Sequence, residues 1–352
     1  MANERKRLKM IDVARAAGVS ATTVSRVLAG VEGASSEKTA IAIRQAASEL
    51  GYVVNGVASG LRSQQTRTVG LVLADVGNPF FGQVASGVEN TLSDAGYSVI
   101  LVNTNNSIEQ EKQLVRVLIE KRVDALVVAT SAKSGDHIRE AVDGGMQVVL
   151  VDSELPDIRG DSVVIDNAAA AQTAVQHLLD LGHKHICIVT GRLEASFDSD
   201  RLEGYRRALR RVGIKPNPLY CVPGESSFEG GRRAVTQALS LSKRPTAIFV
   251  TNNVMTVGAL VAIAECGLSL PRDVSVVGFD DMDWYRIANP PITAIRQPAY
   301  EMGRIAAEKL LQNLRRKRQQ RPQRFCLEAK LIIRQSTAPP VVEQKIEAGE
   351  LP

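Results

Sequence analysis

Aromatic residues are scarce in this chain. Seven Phe, six Tyr and one Trp make up 4% of its 352 residues, against 44% apolar residues overall. An aliphatic core of this kind suits helices packed on parallel strands better than an aromatic-rich sandwich. Cysteine is equally thin: Cys187, Cys221, Cys266 and Cys326 lie far apart and form no CxxC pair. Neither a zinc ribbon nor a disulfide framework is therefore indicated. No apolar run is long enough to span a bilayer, so no membrane partner is expected. Met1 to Lys9 is charged, with no apolar stretch behind it. That predicts no secretory leader and a soluble, cytoplasmic protein. GxxxxGK(S/T) is missing, as is GxGxxG after the first strand, which speaks against a kinase or a dehydrogenase. His183 and His185 flank Lys184 without further ligands nearby and read as turn residues. No catalytic residue, metal or cofactor is expected.

What is present is unevenly placed. Residues 1–68 hold 10 Lys and Arg against 5 Asp and Glu, whereas the other 284 residues hold 33 of each. The whole formal charge of +5 sits in the first fifth of the chain, as in a polyanion-binding head on a neutral body. In that head, Met10 to Gly18 has apolar residues at helical spacing and a glycine suited to a C-cap. Ser20 can cap a second helix, Ala21–Leu28, with Val24, Val27 and Leu28 on one face and Thr22, Thr23, Ser25 and Arg26 outside. A third helix, roughly Glu37 to Leu50, would bury Ile41, Ile43, Ala47 and Leu50 and stop at Gly51. Two short helices on so tight a turn match a helix-turn-helix unit.

From Thr68 onward, strand and helix signals alternate. Strand-like runs occur at Val69–Ala74, Tyr97–Val102, Ala125–Ala129 and Val148–Val151, and the pattern restarts after Asn167. There it continues through His185–Val189, Ala247–Val250 and Val274–Gly278, with helices expected at Ala168–Leu181, Arg201–Val212, Gly230–Ser240 and Val254–Cys266. Repeated β-α units imply parallel sheets covered by helices, and two series imply two lobes. In such sheets ligands sit at the carboxyl ends of strands. Asp75, Asn78, Phe80, Phe81, Asp152, Asp166, Asn167, Asn252, Asn253, Asp280 and Asp281 cluster just there. Carboxylates and amides with aromatic rings can furnish a polyol pocket; equally, Asp and Asn cap helices after strands, and the phenylalanines can be core.

The string Ile11-Asp-Val-Ala-Arg-Ala-Ala-Gly-Val-Ser-Ala-Thr-Thr-Val-Ser-Arg-Val-Leu28, followed by Glu49-Leu-Gly-Tyr52, resembles the DNA-binding domain of the LacI family. By that resemblance Ala21, Thr22 and Arg26 face base edges, Ser20, Thr23 and Ser25 bond phosphates, and Arg26 suits a bidentate contact with guanine. Val53–Arg62 resembles the family's hinge helix, in which Leu61, with Asn55 and Ala58, would wedge the minor groove. Gly56 and Gly60 inside that helix predict a hinge unstructured without DNA. Lys9 stands where the family usually has a Ser or Thr cap.

Residues 69 to about 337 resemble the family's effector domain, which is similar to ribose-type binding proteins. Matching strings include Gly77-Asn-Pro-Phe-Phe81, Asp200-Arg-Leu-Glu-Gly-Tyr205 and Val276-Val-Gly-Phe-Asp-Asp281. The resemblance implies that Asn78, Phe80, Phe81, Asp152, Arg201, Asn252 and Asp280 line a cleft for a sugar-like effector. It also implies a homodimer on double-stranded operator DNA, acting as a repressor. Two departures alter hydrogen bonding: Asn253 replaces a common aspartate, and Ser153 a common arginine.

The expected organisation is an all-α helix-turn-helix head, 1–54, a hinge and linker, 55–68, an α/β two-lobed domain, 69–337, and a tail, 338–352. Lobe 1 would hold about 69–166 and 298–321, and lobe 2 about 167–297 and 322–337. The chain would thus cross between lobes near Asp166, Gln297 and Arg321-Pro322. The tail has no leucine heptads, so a coiled-coil tetramer is not expected.

Overall fold

The helix that starts at Lys9 is capped from within its first turn. Asp12 Oδ2 accepts the Lys9 backbone N–H at 2.9 Å, the reciprocal half of a capping box at the start of α1 (Met10–Ala16), where Lys9 offers no side-chain oxygen to the first-turn amides. The computed structural model describes residues 8–28, 31, 33–52, 65–315 and 321–341. The chain divides into two units, Met1–Arg67 and Thr68–Pro352. The expected hinge, with Asn55, Ala58 and Leu61, lies outside the described residues.

In the first unit, Gly18 takes a φ of +65° and turns the chain out of α1. Ser20 Oγ then accepts the Thr23 N–H at 3.1 Å and opens α2 (Ala21–Leu28). Ser36 caps α3 (Glu37–Leu50), which ends at a left-handed Gly51. Val13, Ala14, Val24, Val27, Ile43, Ala46 and Ala47 form the core. Ile41, expected inside, is 56% exposed. It lies two residues from Ile43, about 200° away around the helix, so the two cannot face the same core.

The second unit holds two six-stranded sheets. The first is built from β1 (Thr68–Leu73), β2 (Ser98–Asn103), β3 (Ala125–Val128), β4 (Gln147–Val151), β5 (Asp161–Ile165) and β11 (Arg324–Leu327) in the order β11-β5-β4-β3-β1-β2. All its pairs are parallel. The second contains β6 (Ile186–Thr190), β7 (Cys221–Pro223), β8 (Ala247–Val250), β9 (Ser275–Phe279), β10 (Thr293–Arg296) and β12 (Lys330–Ile332) in the order β12-β10-β9-β8-β6-β7. Only β12 runs antiparallel, against β10.

Helices return between strands: α4 (Pro79–Asp94), α5 (Ile108–Glu120), α6 (Asp136–Asp143), α7 (Asn167–Asp180), α8 (Ser196–Arg211), α9 (Phe228–Leu239), α10 (Asn253–Glu265), the short α11 (Trp284–Ile287) and α12 (Ala299–Arg315). The buried strands carry Val, Ile and Leu in unbroken runs, as a sheet covered on both faces requires. In lobe 1, α4 and α12 meet at glycines. A Cβ at position 87 would stand 2.1 Å from the Tyr300 carbonyl oxygen, so the backbones touch only because Gly87 has none.

The chain passes from the first sheet to the second after Ile165, returns after Arg296, and leaves again after Leu327. The last passage differs from the one expected at Arg321-Pro322. β11 adds to the first sheet, with Phe325 opposite Val163 and Leu327 opposite Ile165. The crossing therefore falls at Glu328–Ala329, because an unfilled edge of β5 captures four more residues.

Candidate functional site

On the head, Val24 and Val27 anchor α2 in the core, which turns Thr22 and Arg26 to the surface. Ser20 is exposed beside them, and Ala21, Thr23 and Ser25 are half-buried. Ser20 has a second duty there, since its Oγ holds the Thr23 amide and lies 2.9 Å from Thr23 Oγ1. This leaves one basic side chain and several small polar ones on one helix face. Such a face can reach base edges and phosphate oxygens together.

In the second unit the carboxyl ends of both sheets converge on a cleft. Asp75, Asn78, Phe80, Phe81, Asn106 and Asp152 come from lobe 1 and Phe197, Arg201, Ser226, Asn252 and Asp280 from lobe 2, with Gln297 at the second crossing. They enclose a cavity of about 30 Å³. The backbone turns left-handed where β4 and β9 end, at Asp152 (φ +66°) and Asp280 (φ +61°). Each such residue costs about 1–3 kcal/mol, a cost that persists where surrounding structure fixes it.

Both carboxylate oxygens of Asp280 are engaged. Gln297 Nε2 donates to Asp280 Oδ1 at 2.6 Å, and Asn253 Nδ2 donates to its Oδ2 at 3.1 Å. Arg201 is a buried part of the cleft wall: its Nε donates to Asn167 Oδ1 at 2.8 Å and its Nη1 to the Thr251 carbonyl at 2.7 Å. Its guanidinium lies 3.9 Å from the centre of the Phe279 ring. By contrast, Asp152 Oδ1 and Gln297 Oε1 are buried with no hydrogen-bond partner among the described residues. Asp198 Oδ2, next to Gly191, is in the same state.

Burial pushes Asp152 up to about 7, with Asp280 and Asp198 adding to the rise and Arg201 opposing it. The same desolvation lifts Asp198 to about 6, again against Arg201. One buried guanidinium thus faces more carboxylates than it can neutralise.

All seven residues expected in the cleft lie at it. The capping alternative holds at the same time for two of them: Asn78 Oδ1 accepts the Phe80 N–H, and Asn252 Oδ1 the Met255 N–H. Phe80 is also core. Asn106, Phe197, Ser226 and Gln297 join them there without having been singled out by the sequence, and Asp198 lies buried nearby. The helix read as starting at Arg201 begins at Ser196. Phe197 and Asp198 therefore sit four and three residues before Arg201, on its face; that spacing was the available signal. Ser153 is buried, and its Oγ accepts the Thr130 N–H at 3.2 Å, tying the ends of two strands. His183 bonds Thr246, Ser275 and the Ala338 carbonyl, a structural role. Among the described residues no cluster of ligands could hold a metal ion, and no helix is long and apolar enough to cross a membrane.

Comparison with known proteins agrees with this division. Residues 9–55 match the model of bacterial regulatory proteins of the lacI family, and residues 66–335 that of periplasmic binding proteins and the sugar binding domain of the LacI family. The HTH-type transcriptional repressor CytR of Escherichia coli (strain K12) is 35% identical over 328 residues, spanning 93% of this chain and 96% of its own. A LacI family regulator from Enterococcus faecium with bound ribose is 30% identical with a TM-score of 0.70, over 77% of this chain and 99% of that one. The lac repressor dimer bound to operator and the anti-inducer ONPF is 28% identical with a TM-score of 0.83, over 95% and 100%. With a basic head that exposes one face of its second helix, and two parallel-sheet lobes whose strand ends meet at a polar cleft, the chain belongs to the LacI family of DNA-binding transcriptional regulators controlled by small effectors.

Proposed function

We propose that the chain is a repressor whose α2 reads operator DNA through Ala21, Thr22 and Arg26, with Ser20, Thr23 and Ser25 on phosphates. Asn55, Ala58 and Leu61 of the hinge follow the minor groove. The cleft residues Asn78, Phe80, Phe81, Asp152, Arg201, Asn252 and Asp280 hold a sugar-like effector, which is bound and released unchanged. The observation that carries the cleft reading is Asp152 Oδ1, a buried acceptor without a partner among the described residues. Such an atom is destabilised until a donor reaches it. The cavity of about 30 Å³ admits little more than about two waters, so a sugar ring enters when the lobes part and is then clasped between them. The lobe angle sets the separation of the two heads in a dimer, and hence the affinity for DNA. A ligand shifts this balance only by its differential affinity for the two lobe angles.

The dimer has support in lobe 1. Ile100 and Leu101 are 39% and 44% exposed on the edge strand β2, and an apolar sheet edge of this kind calls for cover. The protein acts on DNA in the cytoplasm. Selection of binding sites from random and genomic fragments by the full chain tests this function. We expect enrichment of a pseudo-palindromic site whose retention changes when a cleft ligand is added. Equal retention of all fragments, with and without ligand, rejects it.

A further inference from the structure

The acceptors and donors at the cleft are unequally used. Asn78 Oδ1 is occupied by the cap of α4, and Asn253 Nδ2 is spent on Asn78 and Asp280. Gln297 gives its Nε2 to Asp280, which fixes its amide and leaves Oε1 as an acceptor. Two of the Arg201 nitrogens are committed within lobe 2. The buried atoms left over are Gln297 Oε1, an acceptor at any pH, and Asp152 Oδ1, an acceptor when the carboxyl is ionised. Charge points the same way. Asp75, Asp152 and Asp280 line the cavity, with Arg201 as its one lining cation, and Asp198 lies buried behind.

Of the neighbouring guanidiniums, Arg192 is exposed beside the cleft, outside its lining, and the others are paired or lie elsewhere. Arg192 Nη1 donates to the Asn106 carbonyl at 2.8 Å. Arg296 and Arg334 both hold Asp281. Arg286 lines a neighbouring cavity of about 270 Å³ that shares Phe80, Asp280 and Gln297 with the cleft, and it does not line the cleft itself.

Resting on the reading of the cleft as the effector site, we infer that its ligand is rich in hydrogen-bond donors and carries no anionic group: a neutral hydroxylated compound or its amine, and not a sugar phosphate or sugar acid. An anion would meet like charges across a few ångströms of poorly solvated space, where repulsion is weakly screened. A hydroxyl or ammonium supplies what Asp152 Oδ1 and Gln297 Oε1 lack. The rise of Asp152 to about 7 and of Asp198 to about 6 reduces the negative charge near neutrality but leaves no net positive charge to attract an anion.

Thermal melting of the full chain at pH 6 and pH 8 tests this with matched probes: ribose and ribose 5-phosphate, uridine and uridine monophosphate, and glucose with glucosamine and glucuronate. The midpoint should rise with a neutral or amine member, and its anionic counterpart should need at least about tenfold more ligand for the same rise. Asp152→Asn should weaken the preferred member and narrow the gap to the anion by about tenfold. An anionic probe that binds as tightly as its neutral partner overturns the inference alone. If no probe moves the midpoint, the inference falls together with the effector reading on which it rests.

Discussion

Asn253 Nδ2 lies 2.7 Å from Asn78 Oδ1 and so joins the two lobes across the floor of the cleft. Neither amide can flip freely. Asn78 Oδ1 is held by the Phe80 N–H at 2.9 Å, and Asn253 also donates to Asp280. A donor is therefore required at position 253, between two fixed acceptors. The aspartate common in the family would put a third acceptor there.

Asn253→Asp should accordingly part the lobes. We expect a lower melting midpoint at pH 8, equivalent to about 1–3 kcal/mol, and a larger radius of gyration by X-ray scattering. Both should recover partly at pH 5, where the new carboxyl can hold a proton and donate it. Scattering and melting curves identical to those of the parent would refute the clasp.

Asp152 makes stability depend on pH in a definite direction. Its folded value, about 7, lies above the ordinary 3.8. The folded chain therefore holds this proton more tightly than the unfolded chain. The stabilisation is complete below about pH 4 and is lost as pH rises through about 7. Asp198, raised to about 6, acts in the same direction. Ligand-free protein should melt progressively lower from pH 5 to pH 8. Asp152→Asn should flatten that slope and gain about 1–3 kcal/mol at pH 8. Chemical denaturation across this range measures it, and an unchanged slope in the variant contradicts the assignment.

Two residues of the head should fail differently. Arg26→Ala leaves the α2 core intact, so melting should not change, while operator affinity drops by about 1–3 kcal/mol and the preference for one base pair relaxes. Ser20→Ala removes the bond to the Thr23 amide, so it should also unfold the head more easily, by about 0.5–2 kcal/mol. Gel retardation on base-substituted operators, alongside amide exchange of α2, separates the two. Equal behaviour of the variants would show that the face has been misread.

Gly87→Ala should destabilise lobe 1. The added methyl would stand 2.1 Å from the Tyr300 carbonyl oxygen and force α4 and α12 apart. Overpacking of this kind costs about 1–3 kcal/mol or more. Ala85→Gly, two residues away on the same helix and half-buried, serves as a control with a propensity cost of about 1 kcal/mol. A Gly87→Ala variant as stable as the parent would mean that the helices can shift without penalty.

How much of this was legible in the sequence follows from the range of the forces involved. The spacing of Val24, Val27 and Leu28, the glycine turn at Gly18 and the alternation of β and α segments are local patterns, and they fixed the head and the layered lobes. The aspartates and asparagines after the strands could be placed at the cleft because a parallel sheet brings all its carboxyl ends to one side. Tertiary structure alone decided the rest. β11 joined the first sheet because β5 offered an open edge 162 residues away in sequence. β5, β7, β10 and β12 were too short or too mixed in pattern to stand out. Ile41 and Ile43 looked alike until packing chose between them. Above all, which buried oxygens find a partner depends on pairs such as Asn253 with Asn78 and Gln297 with Asp280, and a hydrogen bond between distant segments leaves no periodic trace in the sequence.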